Sequence, residues 1–343
     1  MNRLLRACAL QPVDRTPVWF MRQAGRVLPE YRQVRRRHDL LAITLQPELC
    51  AEVTLQPVGR LGVDAAILFA DIMTPLISLG LDIRIVEHTG PVLAAPIRTM
   101  DDVRQLRPLE PEQDVPFVLE TIRLVRQQLP PEVAFIGFAG APFTLASYLV
   151  EGKSSRGFEQ TKRLMHGQPE IWHELMVRLS DIAATYLGAQ LAAGVQVVQL
   201  FDSWVGCLSP DDYRCCVQPY SRRIFEALSG APSVHFGTDT GWLLRDMAEA
   251  GGAVIGLDWR VPLDKGWQLV GHHRGVQGNL DPALLLGPWP AVEIAAKRIL
   301  ERAAGRPGHI FNLGHGLHPD TPLDTIIRLV EMVHQFPLPL GED

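Results

Sequence analysis

Short apolar runs alternate with long amphipathic ones along almost all of this chain, and that alternation limits the folds open to it more than any other feature of the sequence. Runs at 18–21, 65–70, 134–138, 195–201, 233–236, 253–257, 275–277 and 309–312 are apolar, often β-branched, and closed by glycine, proline or a charge, as strands are. Between them, 47–61, 115–128, 169–193, 210–228, 242–250, 291–304 and 322–336 carry helical periodicity, several with proline in the first turn and glycine near the end. Strands alternating with helices imply a parallel sheet with helices outside it. Eight such units predict closure into a (β/α)8 barrel, an α/β TIM barrel in which residues 1–343 form a single domain. With 343 residues, 47% of them hydrophobic, the chain can fill the core that this fold requires. The stretch 80–111 does not fit the alternation, and it reads as an insertion that opens with a hairpin turned at 88–90.

Polar residues and glycines collect where the strands end. The second strand runs into Asp71, the third into GFAGAPFTL (137–145), the fourth into Asp202, Ser203 and Trp204, and the last into Gly314, His315 and Gly316. Barrel enzymes build their sites at these C-terminal strand ends. The first strand leads directly into Arg22 and Arg26, one on each side of Gly25. Guanidiniums keep their charge at any working pH and grip carboxylate or phosphate with two parallel donors. Each residue also has an ordinary explanation. A lone arginine is usually solvated, Asp71 and Ser203 suit helix caps, and Tyr148 could pack on the rim. His315 is harder to explain this way, because a core histidine has no need of a glycine on each side.

Charge and cysteine usage exclude several classes of function. A formal net charge of −5, with 21% charged residues, gives no general attraction for nucleic acid or anionic membranes. Arg35, Arg36 and Arg37 form only a short basic run before Asp39. No run is long enough to span a membrane, and residues 1–10 lack the apolar core of a signal peptide, so a soluble cytoplasmic protein is expected. Five cysteines without a CxxC pair fit a reducing compartment. A thiolate zinc site of the barrel methyltransferase kind lacks its cysteine at His235-Phe236-Gly237, and no cysteine follows Cys216. Gly152-Lys153-Ser154 resembles the end of a phosphate-binding loop, but Ser147 stands at the position of its first glycine.

In order along the chain, PVWFMRQAGR (17–26), GFAGAPFTL (137–145) with Tyr148, FDS (201–203), GNLDP (278–282) and FNLGHG (311–316) resemble the motifs of the uroporphyrinogen decarboxylase family. The similarity runs from about residue 3 to 334. It implies a cofactor-free carboxy-lyase of porphyrin and haem biosynthesis, a homodimer with facing clefts. Such an enzyme converts the four acetate side chains of uroporphyrinogen III to methyl groups, giving coproporphyrinogen III and CO2. The resemblance assigns substrate binding to Arg22, Arg26, Arg35, Asp71, Tyr148, Ser203 and His315, with Phe138 and Phe201 lining the cleft, and catalysis to Asp71 and Arg22. The chemistry is coherent with those residues. An octacarboxylate needs several fixed cations, while one carboxylate can accept hydrogen bonds from converging pyrrole N–H groups and offset a cationic intermediate. The proton donor is Arg22 by resemblance, whereas His315 has the more suitable intrinsic pKa.

Overall fold

The structure is a computed structural model and describes residues 2–86 and 89–338. Its strands are β1 (Ala65–Ile67), β2 (Ile83–Val86), β3 (Gly90–Leu93), β4 (Ala134–Gly140), β5 (Val197–Asp202), β6 (Ser233–Gly237), β7 (Val254–Gly256), β8 (Gly275–Gln277) and β9 (His309–Ile310). Seven of them form one sheet in the order β1-β4-β5-β6-β7-β8-β9, parallel at every pairing. Each helical crossover therefore returns the chain to the next strand in line, the pattern of an α/β protein. β1 and β4 are buried at every position, as parallel strands covered on both faces must be. β2 and β3 pair antiparallel and stand apart from the main sheet. Residue 88, where the hairpin is expected to turn, lies outside the described residues.

The helices Pro47–Leu61 and Pro169–Ala193 have the bounds their sequences predict. Proline opens each one, and Gly62 ends the first with φ +70°, a conformation that favours glycine. The single helix expected over 210–228 is instead two, Pro210–Cys216 and Gln218–Ala227, meeting at Val217. Pro219 explains the break: it has no N–H to give, and its ring would clash with the turn before it.

The strand expected at 18–21 is also corrected, since among the described residues it is reduced to one isolated parallel bridge, between Val18 and Phe311. The Phe311 amide donates to Pro17 O at 2.8 Å and the Trp19 amide to Phe311 O at 3.3 Å, while on the other side Asp64 N donates to Val18 O at 2.8 Å. Beyond Trp19 the ladder stops because side chains take the next amides: Gln23 Oε1 accepts from Phe20 N at 3.0 Å and Asn312 Oδ1 from Met21 N at 3.3 Å.

Three buried polar side chains beside this segment are linked in sequence. Trp19 Nε1 donates to Gln277 Oε1 at 3.0 Å, and Gln277 Nε2 donates to Gln199 Oε1 at 3.1 Å. Buried amides left without partners would be costly, so this chain ties β5, β8 and the Val18 segment together.

Candidate active site

The segment after Val18 is shaped by what holds it. Gln23 is fully buried, and its Nε2 donates to Ala65 O at 2.9 Å. Leu317 N donates to Met21 O at 2.9 Å, fixing the residue before Arg22 against the end of the chain's last strand region. Arg22 follows with φ +63°, a left-handed backbone that a non-glycine residue adopts at a cost of about 1–3 kcal/mol. A Cβ on Gly25 would sit 2.7 Å from Arg22 O, and a Cβ on Gly316 would collide with the Arg22 side chain. Gly25 is therefore required by the Arg22 backbone, and Gly316 leaves the space that the Arg22 side chain occupies. Its side chain is exposed, although Phe20, Met21 and Gln23 around it are buried.

Asp71 lies just past β1. Its Oδ1 accepts from Met73 N at 2.8 Å, and Thr74 Oγ1 accepts from the Asp71 amide at 3.2 Å. This turn satisfies part of the capping expectation, with the helix Thr74–Ser78 beginning three residues on. Burial nevertheless dominates and raises the carboxyl pKa above 3.8, while the Met73 amide and the Arg22 cation oppose the shift. A simple surface cap would not be perturbed in this direction.

Tyr148 stands on the helix Pro142–Glu151, which opens directly after β4. Burial, then Asp71, pushes its hydroxyl up to about 12, so it stays protonated as a donor. The ring meets Trp204 edge-on at 5.6 Å. His315 is pushed down to about 4, by burial first and then by Arg22 and Arg260, with Asp258 opposing. Gly316 N donates to its Nδ1 at 2.7 Å, so Nδ1 is an acceptor and the neutral ring carries its proton on Nε2.

Arg22, Asp71, Tyr148 and His315 thus form one group, coupled electrostatically. An apolar wall stands in the same sheet: Phe138 and Phe201 meet edge-on at 5.4 Å, and Phe201 meets Phe236 at 5.8 Å. Gln190 holds Phe138 by both backbone groups, at 2.9 Å each, and covers Gly137 so closely that a Cβ there would strike it. Arg26 and Arg35 both act on Tyr31, whose ring lies 5.6 Å from Phe69. Arg35 also donates to His38 O at 2.8 Å. Ser203 takes its place through its backbone, its carbonyl accepting from Thr238 Oγ1 at 2.6 Å.

Sequence reasoning assigns no role to Gln23, Asn312 or Arg260, and names Trp204 only as part of a strand end. Gln23 lies inside the arginine motif and Asn312 inside FNLGHG, so a polar residue at a buried strand end is the signal available for both. Among the described residues, no three His, Cys, Asp or Glu side chains gather in a group that could hold a metal. No described helix is long and apolar enough to cross a membrane.

Comparison with known proteins gives a consistent picture. The family model described as uroporphyrinogen decarboxylase matches residues 1–336. A uroporphyrinogen decarboxylase of Sorangium cellulosum is 54% identical over 338 residues, covering 98% of this chain and 97% of its own. One from Carboxydothermus hydrogenoformans is 52% identical over 337 residues, covering 98% of this chain and 96% of its own. Among solved structures, a methyltransferase from Methanosarcina mazei superposes with a TM-score of 0.77 at 22% identity, covering 96% of this chain and 97% of that one. At that identity the likeness speaks for the fold alone.

Proposed function

The chain belongs to the uroporphyrinogen decarboxylase family, and from that membership we propose that the group Arg22, Asp71, Tyr148 and His315 is where uroporphyrinogen loses its carboxylates in haem biosynthesis. The observation that carries this assignment is a half-buried carboxylate with a raised pKa under the influence of an exposed arginine, at the end of a strand of the sheet that also carries the Phe138–Phe201 wall. Asp71 accepts hydrogen bonds from the converging pyrrole N–H groups. Arg22, Arg26 and Arg35 bind side-chain carboxylates, with Tyr148 and Ser203 as hydroxyl partners and Phe138 and Phe201 against the pyrroles.

Each step is a balanced proton-for-CO2 exchange. A pyrrole carbon takes a proton, the acetate C–C bond breaks and CO2 leaves, its electron pair enters the cationic ring, the resulting methylene is protonated to a methyl group, and the ring carbon then gives up the first proton to restore the pyrrole. Asp71 offsets the ring's positive charge in a site of limited water. His315 is neutral at working pH and has no imidazolium proton to give, which supports Arg22 as the acid and His315 as a binding donor.

The finer architecture follows the same reading. The Pro17–Trp19 segment hydrogen-bonds to Phe311 on one side and Asp64 on the other, which supports closure of the sheet into a barrel with Val18 as the eighth staves' contact. Residues 80–111 are an insertion on that single domain, and the enzyme works as a cytoplasmic homodimer. The direct test offers uroporphyrinogen to the protein without oxygen, where progressively less carboxylated porphyrinogens are expected. An unchanged substrate would refute the assignment.

Activity is expected to survive dialysis against strong chelators, because the pyrrole supplies the electron sink that a cofactor otherwise provides. Loss on chelation with recovery on adding zinc would overturn the cofactor-free mechanism. Arg26→Lys is expected to raise KM several-fold while keeping the charge, since an ammonium cannot reproduce a two-pronged grip. Steady-state constants equal to those of the parent would place Arg26 outside the substrate site.

A further inference from the structure

The two glycines beside His315 face different neighbours. A Cβ on Gly316 would run into Arg22, whereas a Cβ on Gly314 would collide with Trp259 N and lie 2.9 Å from the Asp258 carbonyl carbon. His315 is therefore carried on a strip of backbone pressed between the Arg22 loop and the turn that follows β7. That turn is held unusually firmly. Asp258 is only 2% exposed, and its carboxylate accepts from Asp239 N at 2.5 Å, Arg260 N at 3.0 Å and Arg260 Nη1 at 2.8 Å. The Asp258 carbonyl accepts from Asn279 Nδ2 at 2.7 Å. Arg260 places Nε 2.9 Å from Asp239 Oδ1 and lays its guanidinium 4.0 Å over the Trp259 ring. A side chain that is 43% exposed is thus fixed by two carboxylates and an aromatic face.

We propose that Asp258 and Arg260 are positioning residues for His315: their turn sets the plane of the imidazole and keeps its proton on Nε2, so that the ring meets the substrate through one fixed donor. The Gly316 amide on Nδ1 defines the tautomer, and the Asp258–Arg260 turn defines where the strip bearing that amide can lie. Arg22, Arg260 and Asp258 are the charged groups that act on the ring. Two cations against one anion reinforce burial in keeping it uncharged. This inference rests on the reading of His315 as a substrate-binding residue.

The test is imidazole 15N NMR of the full chain, with the His315 signals identified by their disappearance in His315→Gln. The parent protein should show a single Nε2–H tautomer. Arg260→Met removes a cation and should move His315 titration to higher pH, whereas Arg260→Lys, which keeps the charge, should titrate like the parent. Asp258→Asn should release the turn and populate both tautomers. In turnover, Arg260→Met and Asp258→Asn should each lower kcat/KM by roughly 10- to 100-fold, mainly through KM, as expected when a binding group is displaced by about 1 Å. His315 spectra unchanged in both variants would overturn the proposal, as would a mixture of tautomers in the parent. Should Asp258→Asn fail to fold, Arg260→Met decides alone, because its side chain is on the surface. The spectra do not depend on turnover, so failure of the decarboxylase reading would appear separately, as an inactive parent protein.

Discussion

Asp71→Asn is expected to lower kcat by roughly 10²–10³, the range for removing one preorganised electrostatic group. Asparagine keeps the side-chain oxygen that accepts from Met73 N, so the turn after β1 survives while the charge is lost. Asp71→Glu keeps the charge but shifts it by a methylene, and should fall between the two. Stability should move the other way. The folded-state pKa of Asp71 is raised, so ionisation is harder in the folded than in the unfolded chain. The parent is therefore penalised as pH rises from the unfolded pKa through the folded one, and the penalty is complete above that range. The Asn variant should show a higher Tm near neutral pH and lose that advantage in acid. The acid limb of the parent's kcat profile should lie above 3.8 and be absent from the residual activity of the variant. A parent-like kcat combined with a lower Tm would leave Asp71 only its part in the turn.

Arg22→Lys is expected to reduce kcat by about 10²-fold or more, because it moves the donated proton away from where the guanidinium holds it and removes a two-pronged carboxylate contact. His315→Gln should act mainly on KM, since the ring is a neutral donor rather than a source of protons. Comparing the two separates the roles. If Arg22→Lys raised KM alone and His315→Gln reduced kcat, the proton donor would be reassigned to His315.

Much of the fold is legible in the sequence where local and global signals agree. Pro47–Leu61 and Pro169–Ala193 are readable to their ends because proline and glycine mark both termini. The Val18 segment is not, because its apolar sequence fits a strand while the side chains of Gln23 and Asn312, the latter almost three hundred residues away, take its amides. The break at Val217 was available in Pro219 and is overridden in a reading that weighs periodicity above a lone breaker. Arg22, Asp71 and His315 are legible as residue types at the ends of apolar runs and Tyr148 as a residue soon after a glycine-rich turn, and the structure brings them into one group. Their protonation states are not legible, because burial and the mutual action of distant charges set them. Arg260 escapes for the same reason: only its two carboxylates and Trp259 distinguish it from any other surface arginine.

The left-handed backbone at residue 22 has a consequence for laboratory evolution. Glycine or asparagine would adopt that conformation more readily than arginine, and an uncharged side chain would sit more comfortably at residue 71. A library sorted only for heat resistance or soluble yield would therefore be drawn toward replacing the two groups on which turnover is proposed to depend. Its best survivors would be well-folded proteins that no longer make product, and screens on this scaffold should score both properties in every round.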